Sequence, residues 1–155
     1  MAFNQFDANA PTVALTATTT KTVNGIQAAT NVAVKGLEMA ATFDGATSTN
    51  APTVVDFARC TFATNAPGTN STATTLQKRD PGRAETLQTI GGNTWTAEPT
   101  VVTPQFSRDI ASYDGSYHYI CPQTSPMIIV GGKGFVIRCT APANVNCTSS
   151  LTAEE

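Results

Sequence analysis

Along most of this chain, apolar side chains return at every second position rather than every third or fourth. Val13, Leu15 and Ala17 alternate with polar or small neighbours. Phe135, Ile137 and Cys139 alternate with Val136, Arg138 and Thr140, and Val145, Cys147, Ser149 and Leu151 keep the same period. A period of two belongs to a strand, whose successive side chains point to opposite faces; a helical stripe needs 3.6. The runs are short and end in turn formers: Asp44-Gly45, Asp80-Pro81-Gly82, Asp114-Gly115, Gly131-Gly132-Lys133-Gly134 and Ala141-Pro142-Ala143.

Threonine is abundant, and its β-branched, stiff χ1 favours a pleated strand over a helix. The Leu, Glu, Lys and Arg that a surface helix would use are sparse. Further runs at 20–26, 31–43, 53–62, 74–79, 95–110, 117–121 and 127–130 bring the expectation to eight to ten short strands and no helix. Such a pattern predicts an all-β fold, an antiparallel β-sandwich or jelly roll, with a barrel as the other closed solution. At 155 residues the chain fits one domain that buries roughly 70% of its unfolded surface. We read that domain as 12–155, preceded by an Asn-rich arm at 1–11 that carries Phe3 and Phe6 and ends at Pro11.

Three places depart from simple alternation. Val32 and Val34 share one parity and Leu37, Met39, Ala41 and Phe43 the other, with Gly36 at the switch; a parity change at a glycine is the mark of a β-bulge. Pro99 and Pro104 interrupt 95–110, which argues for an edge strand or a bent connection. Residues 83–93 are polar and end in Gly91-Gly92, and they read as a long surface loop.

Composition excludes several classes of function. Charged residues are 13% of the chain, about half the usual share. The net charge is −2 and the isoelectric point about 5.3, with no run of lysine or arginine to neutralise phosphates, so nucleic acid is not expected as a partner. No apolar run nears the ~20 residues of a membrane helix. Residues 1–7 show neither the basic nor the apolar region of a signal peptide, so a protein made and folded in a cytoplasm is expected. The four cysteines, Cys60, Cys121, Cys139 and Cys147, lack C-x-x-C spacing and read as small core hydrophobes in a reducing compartment. A turn centred on Ala143 sets Cys139 opposite Cys147 on the core side of a hairpin; a disulfide there fits the geometry, though two adjacent buried thiols are the expected state. Asn70-Ser71-Thr72 and Asn146-Cys147-Thr148 match the glycosylation pattern but carry no meaning without secretion.

No catalytic, metal or cofactor set emerges. The single histidine, His118, lies in Tyr117-His118-Tyr119 and reads as a surface or cross-strand residue; no G-x-S-x-G elbow supplies a serine to partner it. His118 and Cys121, three apart, fall on opposite faces of a strand. Gly131-Gly132-Lys133-Gly134 lacks the following helix of a phosphate loop and reads as a hairpin turn. Asp44, Asp56, Glu85, Glu98, Asp109, Asp114, Glu154 and Glu155 are scattered, without a visible acid–base pair. Trp95, Phe106, Tyr113, Tyr117 and Tyr119 could form a carbohydrate platform, but packing is the expected role.

The order of Ala14 to Val23, Val32-Ala33-Val34-Lys35-Gly36, Phe43-Asp44-Gly45 and Thr96-Ala97-Glu98-Pro99-Thr100 resembles small structural proteins of tailed bacteriophages. So do 132–138, Thr140-Ala141-Pro142-Ala143-Asn144-Val145-Asn146 and Glu154-Glu155. The likeness runs from about Ala14 to the C-terminus and points to head decoration (cement) proteins. It implies a jelly roll, a homotrimer, a place on the capsid exterior, and the major capsid protein as partner. Under it, Phe3, Phe6 and Pro11 of the arm would contact that protein or a neighbouring protomer. A receptor- or glycan-binding module, such as a tail-fibre tip, is the alternative, and a polysaccharide hydrolase comes third.

Overall fold

The computed structural model describes residues 4–46 and 51–155. The described residues form twelve strands and no helix: β1 (Gln5–Leu15), β2 (Thr20–Gln27), β3 (Ala33–Phe43), β4 (Thr53–Thr61), β5 (Thr72–Thr74), β6 (Gln77–Lys78), β7 (Ile90–Asn93), β8 (Val101–Ile110), β9 (Ser116–Ile120), β10 (Met127–Val130), β11 (Gly134–Thr140) and β12 (Val145–Glu154). They make two six-stranded antiparallel sheets packed as a sandwich. The first runs β10-β3-β12-β1-β6, with β9 beside β10 along the same edge of β3. The second runs β5-β7-β2-β11-β4-β8. The all-β expectation holds, with two strands more than the upper bound.

The interior is filled by the alternating residues of both sheets. Phe6, Val13, Leu15, Met39, Phe43 and Leu151 come from the first sheet, and Val23, Val55, Phe57, Phe135, Ile137 and Cys139 from the second. Aromatic rings run through it in a line: Phe135 and Phe57 stack at 5.2 Å, Phe57 meets Phe106 at 5.3 Å, and Phe106 meets Tyr119 at 4.0 Å between centroids. Each buried side chain of this size contributes about 1.5–3 kcal/mol by leaving water.

Two irregularities legible in the sequence lie where it placed them. In the β3–β12 ladder Thr152 pairs with Glu38 and Ala153 with Gly36, so Leu37 is the extra residue of a bulge. In the β4–β8 ladder Phe57 pairs with Phe106 and Ala58 with Pro104, so Gln105 is extra and the proline sits on an edge strand that needs no donor from it.

Four expectations are corrected. Residues 5–11 are not an arm: Gln5 to Ala10 pair with Glu154 to Ser149 of β12, and Phe6 is fully buried. The two phenylalanines suggested an anchor, but the alternation of Phe6, Ala8 and Ala10 is a strand facing the core. Residues 90–93 of the expected loop are β7, between β2 and β5. Gly91-Gly92 read as the end of that loop, yet Gly92 gives close approach. A Cβ there would stand 3.0 Å from the Trp95 ring, and the same holds at Gly25 across the ladder. Finally, neither glycine-rich 131–134 nor 141–143 closes a hairpin. Gly131 and Gly132 adopt positive φ (62° and 78°) in a tight turn, but β10 and β11 lie in different sheets, as do β11 and β12. Both edges of β11 are already taken by β2 and β4, and those of β12 by β3 and β1.

Outside the main core, Phe62 and Trp95 cover the outer face of the second sheet above Ala58, Cys60 and Val136. Trp95 donates its Nε1–H to the Asn65 carbonyl at 3.0 Å. The Glu98 carboxylate accepts from the Thr22 backbone N–H at 2.9 Å and from the Thr22 hydroxyl, so the 94–100 segment is tied down at both ends.

Candidate functional site

Whereas Phe62 and Trp95 lie over the outer face of the second sheet, that of the first is open. Its middle is a floor of small residues, with Asn9, Ala40, Thr42, Thr148 and Ser150 around a shallow depression. Across one end runs a polar row built from four strands. Asp7 (β1) pairs in register with Thr152 (β12), and Thr152 with Glu38 (β3). Arg79, just after β6, grips both oxygens of Asp7 at 3.0–3.2 Å, and the Thr152 hydroxyl donates to the same carboxylate at 2.6 Å. Burial opposes ionisation of Asp7, but the hydrogen bonds from Arg79 and Thr152 outweigh it and hold the carboxyl below its ordinary value. At the far end, His118 Nε2 lies 3.4 Å from Glu38 Oε2.

Beyond that row lies an apolar edge. Ile120 of β9 and Ile128 and Val130 of β10 are 62%, 45% and 51% exposed. Ile120 pairs with Glu38, Ile128 with Lys35 and Val130 with Ala33, so all three project from the outer face. Among the described residues β9 and β10 pair only with β3. The other sheet edges carry the features that discourage pairing: β8 has Pro104, Arg108 and Asp109, and β5 and β6 are three and two residues long. β10, with the sequence MIIV, has neither charge nor proline.

Comparison of the chain with known protein families, curated proteins and solved structures gives no match.

The residues singled out in the sequence are scattered through the fold. Phe3 lies outside the described residues. Phe6 is in the core, where it cannot touch a partner. Pro11 is exposed at the shift in the β1–β12 ladder. His118 is the cross-strand surface residue expected of it. The aromatic platform does not form: Trp95 is buried, Phe106 and Tyr119 pack on each other, and Tyr113, bridged to Gly45, is 53% exposed. All four cysteines are buried and free. Burial pushes the Cys121 thiol up to about 11, which removes it as a nucleophile near neutral pH. Among the described residues no group of three or more His, Cys, Asp and Glu could hold a metal ion.

An open depression of about 460 Å³ at one end of the sandwich is lined by Leu15, Thr16, Asp44, Asn144 and Asn146 among others. Its polar atoms are engaged in holding loops together. Asp44 accepts from the Asn146 backbone N–H at 2.9 Å and its side chain at 2.8 Å, and Asn144 accepts from the Ala17 N–H at 2.9 Å.

Sequence reasoning missed the Asp7–Arg79–Thr152 cluster, whose members are 72 to 145 positions apart, and no local pattern could reveal it. It also missed the tail. Glu154 pairs with Lys35 at 3.3 Å, and the Glu155 carboxylate accepts from the backbone N–H groups of Gln88 and Thr89 at 2.8 and 3.0 Å. The apolar edge was visible as a strand, but which strand forms an edge depends on topology.

Proposed function

We propose that this chain is a structural virion protein of a tailed bacteriophage that decorates the head and stabilises it by binding the major capsid protein on the outer surface. The observation that carries the reading is the outer face of the first sheet: a middle of small residues, a row of polar and charged groups at one end, and an apolar edge of Ile120, Ile128 and Val130. A contiguous apolar border on an otherwise polar surface is the usual mark of a contact with another protein. The resemblance of 14–155 to head decoration proteins supplies the kind of partner. Trimeric assembly around a capsid axis would add buried surface and reinforce the shell by mass action.

Co-sedimentation with purified heads tests this reading. The wild-type protein is expected to pellet with heads, and Ile120→Lys/Ile128→Lys, which places two charges on the edge, is expected to stay in the supernatant while keeping its β spectrum. Equal pelleting of the two proteins would remove the proposed face. Absence of pelleting by the wild type, together with retention on a glycan array, would favour a receptor-binding module instead.

A further inference from the structure

Cys139 and Cys147 were expected to face each other within a hairpin; they face each other across the sandwich. Cys139 lies on β11, between β2 and β4, and Cys147 on β12, between β3 and β1. Both side chains are fully buried, and their sulfurs are 3.9 Å apart. Neither of the other two thiols is so placed: Cys60 belongs to the small outer cluster with Trp95, and Cys121 follows β9 at the edge of the first sheet. We propose that Cys139 and Cys147 are a latent redox staple, whose oxidation joins a central strand of one sheet to a central strand of the other.

The chemistry is thiol–disulfide exchange with a small-molecule disulfide as oxidant. One cysteine thiolate attacks the oxidant, forming a mixed disulfide and releasing one small thiol. The second cysteine thiolate then attacks the protein sulfur of that mixed disulfide and releases the other. Two S–H protons are lost, one S–S bond forms in the protein, and one S–S bond in the oxidant is reduced to two thiols. Oxidation asks the two sulfurs to close from 3.9 Å to a bonded distance of about 2.05 Å. The hydrogen bond between the thiols and their burial push Cys139 well above the ordinary thiol value, so reactive thiolate is scarce while the sandwich is closed. Exchange therefore runs through local opening of the connection between β11 and β12. The bond is independent of the capsid reading, since it rests on the fold alone.

The test uses the full chain with and without oxidised glutathione, followed by alkylation in denaturant and trypsin. Cleavage after Arg138 leaves 139–155 as one peptide, with no later lysine or arginine. Both cysteines therefore lie in a single fragment, separate from Cys60 and Cys121. The expected product is that peptide unalkylated and about 2 Da lighter than its dithiol form. The thermal midpoint of the oxidised protein should rise by about 5 °C or more and fall back with dithiothreitol. Cys139→Ala/Cys147→Ala should show no redox-dependent midpoint. A parallel incubation in urea just below the transition speeds opening, so slow access does not mask the outcome. Recovery of two alkylated thiols in 139–155, or of glutathione adducts alone, under both conditions would overturn the proposal.

Discussion

The Asn24 side chain, buried in the second sheet, donates its Nδ2–H to the carbonyl of Ala8 in the first sheet at 2.8 Å, and reaches the Ser149 carbonyl at 3.3 Å. One amide thus ties β2 to neighbouring strands β1 and β12 across the interior. Removing the amide takes one hydrogen bond from each of two buried carbonyls that keep their ladder bonds, and also removes an amide oxygen buried without a partner, a net cost of about 1 kcal/mol. Asn24→Ala is expected to lower stability by that order in urea unfolding, with an unchanged slope. A loss below a few tenths of a kcal/mol would mean that the amide is not a structural tie.

The start of the chain is a second point of test. Residues 5–10 form six pairs with β12, and Phe6 contributes one of the largest fully buried side chains. Deleting residues 2–11 is therefore expected to abolish folding rather than to release a free arm. Circular dichroism and thermal melting would reveal it. A soluble product with a β spectrum and a cooperative melt would show that β1 is dispensable.

Trp95 is the sole tryptophan of the chain, and its fluorescence reports on the small outer cluster. A Cβ at Gly25 would lie 2.8 Å from Val136 Cγ1 and 3.0 Å from the indole. Gly25→Val should displace the ring, shift its emission to longer wavelength and cost about 1–3 kcal/mol through overpacking. Emission that stays at the wild-type wavelength would show that the 94–100 segment adapts without exposing the ring.

The Asp7–Arg79 pair gives a pH dependence of defined sign. The folded value of Asp7 lies below its ordinary 3.8. Its stabilisation is therefore fully present above that value and is lost as pH falls through the lower folded one. The pair is partly exposed, so its contribution is about 1 kcal/mol. Asp7→Asn should lose about that much near neutral pH, and its thermal midpoint should fall less steeply than the wild type's between pH 4 and 2. Parallel pH profiles for the two proteins would assign the acid sensitivity to other carboxylates.

The alternation of Phe135, Ile137 and Cys139 made the strands readable because every second side chain of a strand in this sandwich enters the main core. The parity switch at Gly36 and the proline at 104 were readable because a bulge and an edge impose local requirements on residue type. What escaped was set by partners far away in sequence. Phe6 looked like an arm residue because the strand that covers it, β12, is at the other end of the chain. Gly91 and Gly92 looked like the end of a loop because the strand they pair with, β2, lies more than sixty residues earlier. Cys139 and Cys147 were rightly placed face to face, but nothing local said that the turn between them carries the chain from one sheet to the other. Ile120, Ile128 and Val130 became a candidate surface only once the order of strands made β9 and β10 an edge.

The most direct measurement is imaging by electron microscopy of phage heads assembled with and without this chain. The account predicts discrete added density on the outer lattice, at three-fold positions, that disappears with Ile120→Lys/Ile128→Lys. Heads identical in both preparations, or density confined to the tail, would contradict it.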